Sequence, residues 1–362
     1  MSGALAQRIA ERIAATGPIT IADYMAECLL DPTDGYYTRR DPLGSAGDFT
    51  TAPEVSQMFG ELVGLALAQS WMDQGAPAAF DLVELGPGRG TLMADILRAT
   101  ARVPGFHAAA RLTFVEASPV LRAAQEQALP AGRAATWQET VHAIAHTGPL
   151  FLVANEFFDA LPIRQFQKEG DLWRERLIGL QDGRLGMGLS GPVQMPALEA
   201  RIDARSGDIV ELCPSAAPIM EWIGQRLSTQ GGAALIIDYG DVGGVGDTWQ
   251  AVAKHTHVDP LATPGAADLT AHVQFDALAR AARPAVSSAV TGQGVFLERL
   301  GITARAEALA RTVSGAALEQ VIAAHRRLTH PDEMGTLFKV MALVATGAPL
   351  PPGLDQQDTA PR

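Results

Sequence analysis

The stretch "ELGPGRGT" (residues 84–91) places a carboxylate, Glu84, two residues ahead of Gly86, Gly88 and Gly90. A strand that ends in such a turn and opens a helix, here from Thr91, brings backbone N–H groups close to whatever is bound there. The dinucleotide fingerprint is G-x-G-x-x-G, and the third glycine comes one residue too early for it. Glu84 would also repel a pyrophosphate pressed against the turn, whereas it would welcome a cation. S-adenosylmethionine carries a sulfonium and an ammonium and no phosphate, so E-x-G-x-G-x-G suits it better than a nicotinamide nucleotide. The alternative is a tight strand-to-helix turn that binds nothing. A second carboxylate, Glu116, ends the next apolar run, "LTFVEAS", where nucleoside-binding sheets place an acid for the ribose hydroxyls. Glu116 also precedes Ser118 and Pro119, a helix start, and both readings can hold together.

A third polar group follows the fourth apolar run. In "ANEFFDALP", Asn155, Glu156 and Asp159 put one amide and two carboxylates just beyond a strand end, the edge at which open α/β sheets bind ligands. Buried carboxylates are costly alone, so the group implies mutual hydrogen bonding or a basic guest; a capped turn with Asp159 exposed is the plainer reading. Methyl transfer brings a neutral lone pair to a sulfonium, so orientation and local field dominate its rate. Glu156 and Asp159 could clamp a guanidinium fork for that purpose, but they would also assist a lysine or another amine.

These residues need a scaffold, and the patterning supplies one. "FDLVEL", "ARLTFVEAS", "GPLFLVANEFF" and "GGAALIIDYG" are apolar nearly throughout, as strands buried on both faces of a parallel sheet are. "TLMADILRAT" and "SPVLRAAQEQAL" supply helices between them, which predicts an α/β, doubly wound, Rossmann-like sheet. Upstream, Phe59, Leu62, Val63, Leu67 and Trp71 share one helical face. Residues 1–75 therefore read as an N-terminal helical part with a long Gly- and Pro-rich loop, and 76–346 as the catalytic domain. That domain carries insertions at 163–205, with a hairpin turn at Asp182 and Gly183, and at 241–335. "LFKVMALVA" (337–345) returns as a late strand, and 347–362 reads as a disordered tail. Asp268 and Thr270 suggest a helix start, and the pair His255 and His257 a surface loop without a third metal ligand, so no metal is expected.

Composition narrows the class. With 362 residues, 47% hydrophobic, there is material for one enlarged domain or two. A net charge of -12 argues against nucleic acid or anionic lipid as general partners. Two cysteines, Cys28 and Cys213, are too few for a disulfide framework and point to a reducing compartment. No run of about 18 apolar residues suggests a membrane span, and the expected location is cytoplasmic. Oligomeric state leaves no sequence signature.

The motifs "GYYTRRDPLGSAGDFTTAPEVSQMFGE", "ELGPGRGTLMADILR", "NEFFDALPIRQF", "IIDYG" and "HRRLTHPDEMGTLFKVMAL" resemble the MidA family, in order, from about residue 17 to 345. The resemblance implies a class I methyltransferase fold, S-adenosyl-L-methionine as cofactor and symmetric dimethylation of arginine on a subunit of respiratory complex I. Gly86, Gly88 and Gly90 match the family's cofactor loop, Glu116 its ribose acid, and Gly47, Asp48 and Phe49 a block that closes over the cofactor. Glu84 is then expected to hold the methionine ammonium, and Asn155, Glu156 and Asp159 to face the acceptor. The rival from another class is a non-catalytic assembly factor that binds the cofactor only to shape a partner surface.

Overall fold

The computed structural model describes residues 3–39, 51–145 and 147–357. The chain divides into two compact units: residues 50–158, 217–242 and 275–362 form one, and 1–49, 159–216 and 243–274 form the other.

The first unit is built on a wound sheet. Its elements in chain order are α1 (Gln57–Asp73), β1 (Phe80–Leu85), α2 (Thr91–Thr100), β2 (Ala110–Val115), α3 (Pro119–Ala128), β3 (Ala135–Gln138), β4 (Leu150–Asn155), α4 (Ala216–Gln230), β5 (Gly232–Asp241) and β6 (Phe338–Val344). The strands lie in the order β6-β5-β4-β1-β2-β3. β1 to β5 pair in parallel, and β6 runs antiparallel to β5, from Ala233 opposite Val344 to Tyr239 opposite Phe338. The winding leaves β1 in both directions, so the switch point falls between β1 and β4, where such sheets open a crevice at their carboxyl ends. Every residue of β1 and β4 is buried, which is why these strands read as unbroken apolar runs rather than alternating ones.

The predicted apolar face of α1 is buried against α2. Two glycines set that closeness: a Cβ at Gly60 would lie 2.6 Å from Asp95 Cβ, and one at Gly64 2.8 Å from Ile96 Cα. Helices at Gln293–Arg299, Ile302–Ala310 and Ala316–Thr329 add Phe296, Leu297, Ile302 and Leu328 to the same core. The expected disordered tail departs from the structure as far as Gln357. Ala348, Leu350 and Leu354 pack on the core, and Ala289 N–H donates to Asp355 O, so apolar burial outweighs the Pro- and Gly-rich composition there.

The second unit is mostly antiparallel. Strands Arg164–Glu169, Leu172–Gln181, Arg184–Val193, Ile209–Leu212 and Ile19–Thr20 form one sheet. Its longest hairpin turns at Asp182 (φ 50°) and Gly183 (φ 73°), as the Asp-Gly pair predicts. A three-stranded sheet joins Gln250–Ala253, Thr256–Val258 and Asp268–Thr270. The last corrects the expected helix start: Asp268 and Thr270 lie in a strand, with Leu269 in the core and Asp268 Oδ1 accepting from Tyr37 Oη at 2.8 Å. His255 sits at the turn and His257 on the following strand, both exposed. Among the described residues, no helix is long and apolar enough to cross a membrane.

Candidate functional site

The carboxyl ends of β1, β2 and β4 carry most of the predicted residues. After β1 the chain turns through Gly86 (φ 59°), Gly88 (φ 53°) and Gly90 (φ 83°), a left-handed sequence that favours glycine at each step. Gly86 N–H donates to Val115 O at 3.0 Å, tying the turn to β2. A Cβ at Gly86 would fall 2.8 Å from the Phe157 ring, and one at Gly90 3.2 Å from Gln125 Cα, so the turn is also pressed between its neighbours.

Glu84 lies inside β1 and is 3% exposed. The backbone N–H of Met93, in the first turn of α2, donates to its carboxylate, while Oε2 is buried with no hydrogen-bond partner among the described residues. Burial, and then the charge of Glu116, hold its proton affinity well above the usual carboxylate range. An ionised carboxylate cannot rest stably in that position without a cation. The orphaned oxygen and the glycine turn fit a ligand bearing an ammonium.

Glu116 is buried immediately after β2. Ser118 N–H donates to its Oε1 at 2.7 Å and Gln125 Nε2 to its Oε2 at 3.2 Å. Ser118 also caps α3, accepting from Leu121 N–H. The ribose-acid and helix-start readings are thus compatible: each Glu116 oxygen has a further lone pair. Its proton affinity is raised by burial and moderated by the Ser118 and Gln125 donors.

At the end of β4, Asn155 and Glu156 share a hydrogen-bonded corner. Glu156 Oε1 accepts from Asn155 Nδ2 at 3.0 Å and from Ala52 N–H at 3.0 Å. Asn155 Oδ1 is buried with no hydrogen-bond partner among the described residues. Glu156 adopts φ 51°, a left-handed conformation that costs a non-glycine residue about 1 kcal/mol or more, as residues at functional sites often do. Asp238 of β5 supports it from below, accepting from Phe157 N–H and Phe158 N–H through Oδ2 at 3.2 and 3.0 Å, and from Tyr239 N–H through Oδ1.

One unit therefore brings together Glu84, Gly86, Gly88, Gly90, Thr91, Glu116, Asn155 and Glu156. Asp159 belongs to the other unit, buried, where its charge and that of Asp268 act on the buried Tyr37 hydroxyl. Gly47, Asp48 and Phe49 lie outside the described residues. Sequence reasoning missed Gln125, Trp137, Glu54 and Asp238. Glu54 Oε1 accepts from Thr91 Oγ1 at 2.6 Å, which pins the short helix Ala52–Val55 to the glycine turn. Among the described residues, no cluster of three or more His, Cys, Asp or Glu is placed to hold a metal.

Comparison with known proteins identifies the cofactor. The family model described as "Putative S-adenosyl-L-methionine-dependent methyltransferase" matches residues 62–293, more than half the chain and the whole of the glycine turn. The chain belongs to this methyltransferase family. Similar curated proteins carry the name "Protein arginine methyltransferase NDUFAF7, mitochondrial": the Xenopus laevis protein is 38% identical over 95% of this chain and 85% of its own length, and the human protein 37% over 92% and 81%. A Burkholderia thailandensis protein whose crystal structure holds S-adenosyl-homocysteine superposes with a TM-score of 0.83 at 28% identity, covering 97% of this chain and 94% of that one. The resemblance to the MidA family, the doubly wound fold and S-adenosyl-L-methionine as cofactor are borne out, and the enzyme is an S-adenosyl-L-methionine-dependent methyltransferase. The cytoplasmic expectation is overturned, since the curated relatives are labelled mitochondrial. Its physical basis was weak: two cysteines exclude a disulfide framework but do not tell one reducing compartment from another.

Proposed function

We propose that this methyltransferase acts on arginine in a protein, producing symmetric dimethylarginine on a subunit of respiratory complex I. The arginine reading is supported by the curated relatives' name and by the corner beyond β4, where a buried acceptor without a donor, Asn155 Oδ1, stands beside a carboxylate. That pairing is the observation that carries the proposal, because a guanidinium offers several N–H donors in one plane. The complex I subunit is supported by the family resemblance.

In this reading Glu84 Oε2 would hold the methionine ammonium, the Gly86–Gly90 turn with Thr91 would line the methionine portion, and Glu116 would accept from the ribose hydroxyls. When bound, the cofactor supplies a methyl group on a sulfonium. Asn155 Oδ1 accepts an N–H of the acceptor and fixes the plane of its guanidinium. The Glu156 carboxylate would draw positive charge from the attacking nitrogen and take the proton that this nitrogen loses on methylation. Glu84 is buried, with Met93 N–H donating to it, so each charge interaction there is strengthened.

Incubation with methyl-labelled cofactor and the isolated subunits of complex I, read by mass spectrometry, tests the proposal. Dimethylarginine on one subunit, absent with Glu156→Gln, is the expected result. Label on lysine, or on no protein, contradicts it.

A further inference from the structure

Gln125 lies on α3, nine residues after Glu116, and is fully buried. Its amide makes three hydrogen bonds: Nε2 donates to Gly88 O at 2.8 Å and to Glu116 Oε2 at 3.2 Å, and Oε1 accepts from Trp137 Nε1 at 2.8 Å. An indole N–H can only donate, so Trp137 fixes which end of the amide faces the loop. Both N–H bonds of Gln125 are then committed, one to the middle of the glycine turn and one to the acid after β2. The backbone of α3 is seated on the turn as well, since a Cβ at Gly90 would come within 3.2 Å of Gln125 Cα.

We propose that Gln125 is a positioning residue, which couples the glycine turn to Glu116 and sets the Glu116 carboxylate to read the ribose of the cofactor. The inference rests on the assignment of Glu116 to the ribose. A carboxylate recognises two neighbouring hydroxyls only if its plane is held, and Glu116 is held from one side by Ser118 N–H and from the other by Gln125. Glutamine supplies a donor to each of two acceptors, Gly88 O and Glu116 Oε2, while adding no charge. A glutamate at 125 would supply neither donor and would repel Glu116. Arg122 donates to the backbone carbonyl of Glu116, through Nε at 2.8 Å and Nη2, and acts on the carboxylate through its charge. The carboxylate itself is held by the backbone N–H groups of Ala117 and Ser118 and, as its one side-chain donor, by Gln125.

The test compares binding of S-adenosyl-homocysteine with that of its 2′-deoxy analogue, by calorimetry, in the full-length wild type, Gln125→Met and Trp137→Phe. A hydroxyl lost from a charged acceptor costs roughly tenfold or more in affinity, so the wild type should prefer the ribose form by about that factor. In Gln125→Met, which keeps the side-chain volume, the preference should shrink to about threefold or less. Trp137→Phe removes the N–H that orients the amide and should narrow it in the same direction, which keeps the proposal testable if the first variant does not fold. A merely structural role for Gln125 would weaken both ligands equally and leave their ratio unchanged, which would overturn the proposal. A wild type that binds both forms equally would instead overturn the assignment of Glu116 on which it rests.

Discussion

Glu84 is the residue on which the chemistry turns. Its raised proton affinity means that the folded, cofactor-free protein binds a proton there more tightly than the unfolded chain does. The stability tied to Glu84 is therefore fully present below the ordinary carboxylate range and is lost as the pH rises toward the raised folded value. Glu84→Gln removes that loss, so melting temperatures measured from about pH 4 to 8 should fall less steeply for the variant than for the wild type. The same variant should bind S-adenosylmethionine about ten- to a hundredfold more weakly, since one charge-assisted hydrogen bond is gone. Because the ammonium favours the ionised carboxylate, cofactor binding to the wild type should release a proton, visible as a binding enthalpy that changes with the buffer. Glu156→Gln keeps an oxygen to accept from Ala52 and Asn155, so cofactor affinity should stay within about threefold while turnover drops by roughly a hundredfold. At this scale the sequence was legible wherever function needs a backbone conformation: alternate glycines and a preceding acid announce themselves by spacing. Gln125 and Asp238 did not, because a buried polar residue on an amphipathic helix or an apolar strand acquires meaning only through partners distant in the chain.

Among the elements, the pairing of α1 with α2 and the turn after β4 are the most exposed to substitution. Gly64→Ala would push a methyl to 2.8 Å from the backbone of Ile96, so the helices must part. A loss of about 1–3 kcal/mol is expected from urea unfolding. Asp238→Ala removes the acceptor for three backbone N–H groups, and those of Phe157 and Phe158 belong to the corner that holds Glu156. Turnover should fall together with stability, a pattern that urea unfolding and kinetics on one preparation would separate from a purely catalytic defect. The parallel strands, the Asp182-Gly183 hairpin and the returning strand β6 were readable from local pattern because burial on both faces and left-handed turns leave compositional marks. The strand at Asp268–Thr270 was not: a polar residue before a short apolar stretch resembles a helix start, and pairing with Gln250–Val252 together with the Tyr37 hydroxyl decides otherwise.

At the scale of the whole molecule, the acidic composition and the lack of a long apolar run in the sequence carried no address. The partition into units was equally hidden, because residues 159–216 and 243–274 leave the sheet and join the first 49 residues through contacts far apart in sequence. The account stands or falls on what occupies the crevice above β1 and β2. A crystal structure of the protein with S-adenosyl-homocysteine measures that directly. The account predicts the ligand's amino group within hydrogen-bond distance of Glu84 Oε2 and its ribose hydroxyls on Glu116. A ligand whose amino group lies away from Glu84, with Oε2 still lacking a partner, would contradict it.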